Sequence, residues 1–329
     1  MNCSKAGCGV SRRDFLTGLG GLVAVGALSG CRATDPFARR GKYERLSLVC
    51  RHVDAGATRP FSLLHITDTH LTAAYDREPE AVRKLRDWRT RTFGGHQEEA
   101  LADSLAWARK NCDYVLHTGD LIDWPSEANF DLVRKYFCGS ICGSLGNHEI
   151  GWPRTPLNGK EKGLTEAMMR EEWYGPLAKA YPFDLELQST VVNGVNFVTV
   201  DDVFGTISER QRERLEKEFA RGLPVVLAKH VPFVTEGILR HHGKIWFDWK
   251  LSCAKFTSAA IPPPQGEYAR QKEDKVTADT IAWLRAEPRL KAILAGHEHF
   301  AYEERFSPTA MQFVTGGNFM FHASEVTFA

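Results

Sequence analysis

Leu145-Gly146-Asn147-His148-Glu149 is the stretch on which the fold reading turns. The apolar run at 141–145 reads as the end of a short buried strand. Glycine then permits a tight turn with no Cβ in the way. Behind it stand an amide, an imidazole and a carboxylate in successive positions. A turn here aims Asn147 and His148 at one point while the backbone reverses.

The same pattern, an apolar run ending on polar residues, recurs on both sides. Upstream, 113–117 reads as a strand ending at Gly119-Asp120, and 61–66 as one ending at Thr67-Asp68-Thr69-His70. Downstream, 223–228 delivers Lys229-His230, and 291–294 leads to Gly296-His297-Glu298-His299. Helical periods lie between these strands. One covers 97–110, with Leu101, Leu105 and Ala108 on one face, and others cover 127–137 and 276–285. The helix at 207–220 opens with Ser208 and Gln211 at capping-box spacing. A hairpin over 181–200 turns at Asn193-Gly194, and 311–329 alternates like sheet strands.

Strands alternating with helices predict one α/β domain over 61–329. Residues 151–182, with a short helix near 164–173, and 234–275 interrupt it as two insertions and candidate lids. The second carries Trp246, Phe247 and Trp249, expected to pack within the insertion, and a Pro262-Pro263-Pro264 run.

The 329 residues are 43% hydrophobic and 25% charged, enough for a sizeable core. A net charge of +1 gives no whole-chain basic field of the kind that nucleic acid would call for. The first 31 residues read as an export leader. Ser11-Arg12-Arg13-Asp14-Phe15-Leu16 is a twin-arginine pattern, followed by a glycine-rich apolar run at 17–28 that is short for a bilayer span. It resembles a Tat signal, which makes the Tat translocon a partner and places the protein in the periplasm or cell envelope. Leu28-Ser29-Gly30-Cys31 resembles a lipobox, with Cys31 as the lipidated first mature residue and a membrane tether. The polar, arginine-rich 32–41 would link it to the first strand region, within 32–60. Lys5, Arg12, Arg13 and Asp14 leave with the leader, so 42 basic and 41 acidic side chains become 39 and 40. Of eight cysteines, five lie beyond the leader, and none form a CxxC pair. Buried thiols, or a single disulfide, suffice to explain them.

Five motifs thus sit past the ends of strands, where ligands bind in α/β sheets. They offer Asp68, His70, Asp120, Asn147, His230, His297 and His299. Four imidazoles, two carboxylates and an amide suit Zn, Mn or Fe rather than Mg or Ca. Seven ligands are too many for one tetrahedral ion, so two divalent transition-metal ions are expected. Asp120 is the best bridging candidate. Alternate residues in an extended segment point the same way, so Asp68 and His70 can reach one ion together. The glycine turn allows His297 and His299 to separate between the two. Such a centre stays positive and attracts a phosphate ester. It would lower the pKa of a bridging water to about 7, making hydroxide for in-line attack. His148, left over, can protonate the leaving oxygen.

D-x-H, G-D-x-x-D, G-N-H-[DE], a lone His and G-H-x-H, in this order from Asp68 to His299, resemble the calcineurin-like metallophosphoesterase superfamily. The resemblance implies a two-sheet β-sandwich flanked by helices (αββα) with a dinuclear centre at the strand ends. It implies one metal on Asp68, His70, Asp120 and His299, and another on Asp120, Asn147, His230 and His297. His148 would be the general acid or phosphate contact, oriented by a carboxylate such as Asp123, which otherwise would cap the next helix. Glu149 and Glu298 vary on the family pattern without removing a ligand. Of twelve histidines, the seven outside the motifs are expected to be structural or on the surface, with His117 open to a supporting role behind Asp120.

The expected function is an exported phosphoester hydrolase acting on a small-molecule or lipid-head-group ester, phosphodiesters slightly ahead of monoesters. The alternative is a non-catalytic metal- or phosphate-binding protein on the same fold.

Overall fold

The computed structural model describes residues 46–137, 141–150, 166–245, 257 and 274–329. The leader with Cys31, the Trp246, Phe247 and Trp249 cluster, the proline run and 151–165 lie outside the described residues.

Two mixed sheets form the centre. The first has the order β1 (Ser47–Val53), β11 (His322–Phe328), β2 (Phe61–Ile66), β3 (Tyr114–Thr118), β4 (Ile141–Ser144). The second has β5 (Leu187–Val192), β6 (Val195–Val200), β7 (Val225–Ala228), β8 (Leu290–Ala295), β10 (Met311–Val314), β9 (Tyr302–Arg305). β2, β3 and β4 run parallel, as do β6, β7, β8 and β10, so their C-terminal ends gather at one edge of each sheet.

Strand alternation builds the layers. In β2, Phe61 and Leu63 point between the sheets, and Leu64 and Ile66 point outward to helices. In β7, Val226 and Ala228 face inward, and Val225 and Leu227 outward. A side chain buried on either face explains why these strands read as continuous apolar runs. α2 (Gln97–Asn111), α3 (Glu127–Tyr136) and α4 (Glu166–Ala180) cover the first sheet through Leu101, Trp107, Val133 and Leu177. α5 (Glu209–Ala220) and α7 (Lys275–Ala286) cover the second through Leu215, Phe219 and Leu284. The result is the helix–sheet–sheet–helix sandwich expected, with the capping box of Ser208 and Gln211 formed and the hairpin turning at Asn193-Gly194.

The structure adds elements that the pattern did not predict. α1 (Glu80–Thr92) buries only Val82 and Leu85 on an otherwise charged helix. α6 (Glu236–Ile245) falls in the stretch expected to be irregular, and the helix expected near 164–173 runs on to Ala180. Among the described residues Cys50, Cys112 and Cys142 form no disulfide, and burial pushes Cys142 up to about 11. No helix among the described residues is long and apolar enough to cross a membrane.

Candidate active site

The ends of β2, β3, β4, β7 and β8 converge, bringing all seven predicted ligand residues together from both sheets. The convergence does not come from extended backbone. Asp68, His70, Asp120, His297 and His299 have φ of 51°, 51°, 55°, 71° and 59°. The expectation that Asp68 and His70 align by strand alternation is corrected: each sits in the left-handed region, which Asp and His enter more readily than most residues. Backbone bonds fix these turns, with Asp68 N donating to Gly119 O at 3.0 Å and His70 N to Asp120 O at 2.9 Å.

Gly146 serves through space rather than φ. A Cβ there would overlap Asp120 Oδ1, and one on Gly119, at φ 88°, would meet Gly146 N at 2.6 Å. The β3 and β4 loops touch because both residues lack side chains.

Four of the seven ligand candidates are turned by a hydrogen bond on the far atom, the arrangement expected around a metal. Asp68 Oδ2 accepts from Thr67 Oγ1 (2.9 Å) and His297 N (2.8 Å). Asp120 Oδ1 accepts from His148 N at 2.9 Å. His230 Nδ1 donates to Thr118 O at 2.7 Å, and His70 Nδ1 to Asp123 Oδ1 at 2.9 Å. Asp68 Oδ1, Asp120 Oδ2 and the Nε2 atoms of His70 and His230 therefore face one another.

Two groups result. In the first, His70 Nε2 and His299 Nε2 are 3.1 Å apart, Asp68 Oδ1 is 3.4 Å from His299 Nε2, and Asp120 Oδ2 is 3.8 Å from His70 Nε2. In the second, His230 Nε2 lies 3.2 Å from His297 Nδ1, 3.2 Å from Asn147 Oδ1 and 3.3 Å from Asp120 Oδ2. His297 and His299 are thus split, and Asp120 Oδ2 adjoins both groups. Ligand atoms about 2.0–2.2 Å from one ion stand roughly 3–3.5 Å from each other, so these spacings suit metal coordination. Asp68 Oδ1 is buried without a hydrogen-bond partner, facing His299, His70 (3.9 Å) and His230 (4.0 Å). A buried carboxylate oxygen left in that position fits a cation.

Burial and the facing charges set the protonation of these groups in opposite directions. Burial works to raise the carboxyls of Asp68 and Asp120, but the surrounding imidazoles hold both well below the usual range. Burial, aided by His148, pushes His70 down to about 4, which keeps it neutral and able to ligate. Burial also opposes charge on His230, yet Asp120 and Asp68 push it up to about 10.

His148 stands beside the groups. Its Nδ1 lies 3.0 Å from Asp123 O and 2.9 Å from Asp123 Oδ1, so Nε2 points inward, 3.9 Å from Asp120 Oδ2. Burial opposes its charge, but Asp120 and Asp123 outweigh that and raise its pKa. Asp123 contacts His70 as well as His148, while the cap of α3 comes from Ser126. Glu149 is turned away, accepting from the backbone N–H of Asp120 (2.9 Å), Leu121 (2.7 Å), Ile122 (3.2 Å) and Gly146 (2.7 Å) and from Tyr181 Oη (2.9 Å). Burial and Asp120 nonetheless push it up to about 7.

Other residues brace the loops. His117 Nε2 bonds Thr69 Oγ1 at 2.9 Å, and His65 bridges Thr118 and Thr315. Asp202 forms a buried ion pair with Lys229 at 2.5 Å and accepts from Val231 N, as expected of a loop-binding carboxylate. Glu298, between the two ligand histidines, instead bonds His242 of α6 at 2.5 Å. Arg89 and Phe93 at the end of α1, and Phe319 beside His299, were not singled out from sequence. One arginine among four in the charge-rich run 80–92 carries no distinguishing signal.

The chain has counterparts among solved structures. A dimetal phosphatase from Danio rerio is 13% identical, with a TM-score of 0.44 over 80% of this chain and 91% of that one. A putative 5'-nucleotidase from Staphylococcus aureus is 12% identical, with a TM-score of 0.42 over 79% of this chain and 49% of that one. A calcineurin-like phosphoesterase from Bacillus subtilis is 13% identical, with a TM-score of 0.37 over 79% and 82%. No curated protein matches the chain. The sequence profile of the calcineurin-like phosphoesterases, however, matches residues 61–301, from the first residue of β2 to just past the last ligand loop. That span contains all seven convergent residues, and the chain belongs to the calcineurin-like phosphoesterase family.

Proposed function

We propose that this metal-dependent phosphoesterase is a two-metal hydrolase. Asp68, His70, Asp120 and His299 would hold one transition-metal ion, and Asp120, Asn147, His230 and His297 the other. The observation that carries the reading is the partnerless Asp68 Oδ1 among three imidazole nitrogens, next to an Asp120 Oδ2 that adjoins both groups. When bound, the ions lower the pKa of water and offset charge on the phosphoryl oxygens. Asn147 ligates without adding negative charge, which keeps the site attractive to an anion. His148 acts as general acid: its Nδ1 is occupied by Asp123, its Nε2 faces the site, and its raised pKa favours the protonated form. Asp123 holds that ring in place and takes no proton itself.

Motif form favours phosphodiesters slightly over monoesters. The leader supports export through the Tat translocon with a lipid on Cys31, so the substrate would be met outside the cytoplasm. Purified metal-loaded protein should cleave bis(p-nitrophenyl) phosphate faster than p-nitrophenyl phosphate; turnover of neither, nor of a panel of natural esters, sinks the proposal. Mass spectrometry of the protein from envelope fractions should find acylated Cys31 at its N-terminus, and an intact residue 1 contradicts the export reading.

A further inference from the structure

We propose that Arg89, on a helix outside all five motifs, is a positioning residue that fixes the Asp123 carboxylate so that it holds His148 toward the reacting phosphoester. The inference rests on the two-metal hydrolase reading. Arg89 Nε meets Asp123 Oδ2 at 2.5 Å and Nη2 meets Oδ1 at 2.9 Å, a two-pronged pair with the arginine side chain only 11% exposed. The planar fork fits both carboxylate oxygens at once, which a lysine cannot do.

That geometry matters because one oxygen carries so much. Asp123 Oδ1 lies 2.9 Å from Nδ1 of His70 and 2.9 Å from Nδ1 of His148. A carboxylate free to rotate would offer either oxygen to either ring. With Oδ2 engaged by Arg89 Nε, Oδ1 stays directed at both. The guanidinium is fixed in turn, 4.7 Å from the centre of the Phe93 ring. Phe93, just past the end of α1, stacks on His70 with centroids 4.2 Å apart and planes 9° from parallel. The last turn of α1 therefore supports the site twice, through Asp123 and against the face of His70. The competing role for a cation here is direct contact with the phosphoryl group, and the two predict different kinetics.

The test compares Arg89→Ala and Arg89→Lys with wild type in metal-loaded full-length protein, using bis(p-nitrophenyl) phosphate. Loss of a residue that orients a site group costs about tenfold to a hundredfold in activity. Arg89→Ala should lose that in kcat, with KM within about twofold and the metal content retained. Arg89→Lys should recover only part of the loss, and added guanidinium ion should restore the alanine variant but not the lysine one. Nitrogen-15 NMR of labelled histidines gives a readout apart from turnover: the His148 Nδ1 signal should move in Arg89→Ala and return with guanidinium. A raised KM at unchanged kcat would assign Arg89 to the phosphoryl group instead and overturn the inference. So would loss of metal, or unchanged kcat with an unmoved His148 signal. If wild type cleaves nothing, the hydrolase reading fails, while the NMR comparison still decides whether Arg89 positions His148.

Discussion

Asp68, His70, Asp120, His297 and His299 hold backbones that most side chains avoid, at a cost of about 1–3 kcal/mol each. The residue types were legible in the sequence, because imidazole and carboxylate at strand ends point to metal chemistry. The way they converge was not, because left-handed turns leave no period to read. Glu149 was legible only as a loop-fixing residue, and its four backbone donors explain why. Glu149→Gln puts an amide N–H₂ where a carboxylate oxygen accepted. It should cost about 2–3 kcal/mol in urea denaturation, since bonds to a charged acceptor are worth about 1.5–3 kcal/mol; an unchanged midpoint contradicts that role. His148 sets a pH dependence. Its acid form is the active one, with Asp123 held against Nδ1, so activity should fall on the alkaline side as the ring loses its proton. His148→Ala should lower kcat and lack that alkaline limb, and a variant that keeps the limb assigns the titration to another group.

Elements were legible in proportion to how apolar they are. β2, β3, β7 and β8 are buried on both faces and stood out as runs, whereas α1 buries two apolar side chains among charges and was missed. α6 was missed too, though His242 ties it to Glu298 between two candidate ligands. The β7 end depends on a fully buried charge: Lys229 pairs with Asp202 and bonds Val231 O and Thr257, and burial lowers its pKa. Lys229→Met leaves the Asp202 carboxylate buried without its cation. It should lose about 3–5 kcal/mol by chemical denaturation, the scale for breaking one side of a buried pair. A loss below about 1 kcal/mol would show that the pair is readily rehydrated.

For the whole molecule, the sandwich was legible through its motifs more than through its strand order. β11 inserts between β1 and β2, pairing Ser324 with His65 and Val326 with Leu63. Pairings between opposite ends of a chain have no local signature. The assembled order has a consequence for stability. The first ligand group joins β2 and β3 of one sheet to β8 of the other, and the second joins β3 and β4 to β7 and β8. An ion in either group would therefore tie the two sheets together at one edge. Free metal at a hundredfold excess over Kd adds about 2.7 kcal/mol per site, so chelation should lower Tm by several degrees and manganese or zinc should restore it. A Tm indifferent to chelator would mean that neither group holds an ion.

The proposed site holds two ions on seven residues and shares Asp120 between them. Elemental analysis of the purified, metal-reconstituted protein beside its Asp120→Asn variant counts those ions. The expected result is two transition-metal ions per wild-type chain and loss of both in Asp120→Asn; one ion or fewer in wild type, or two in the variant, contradicts it.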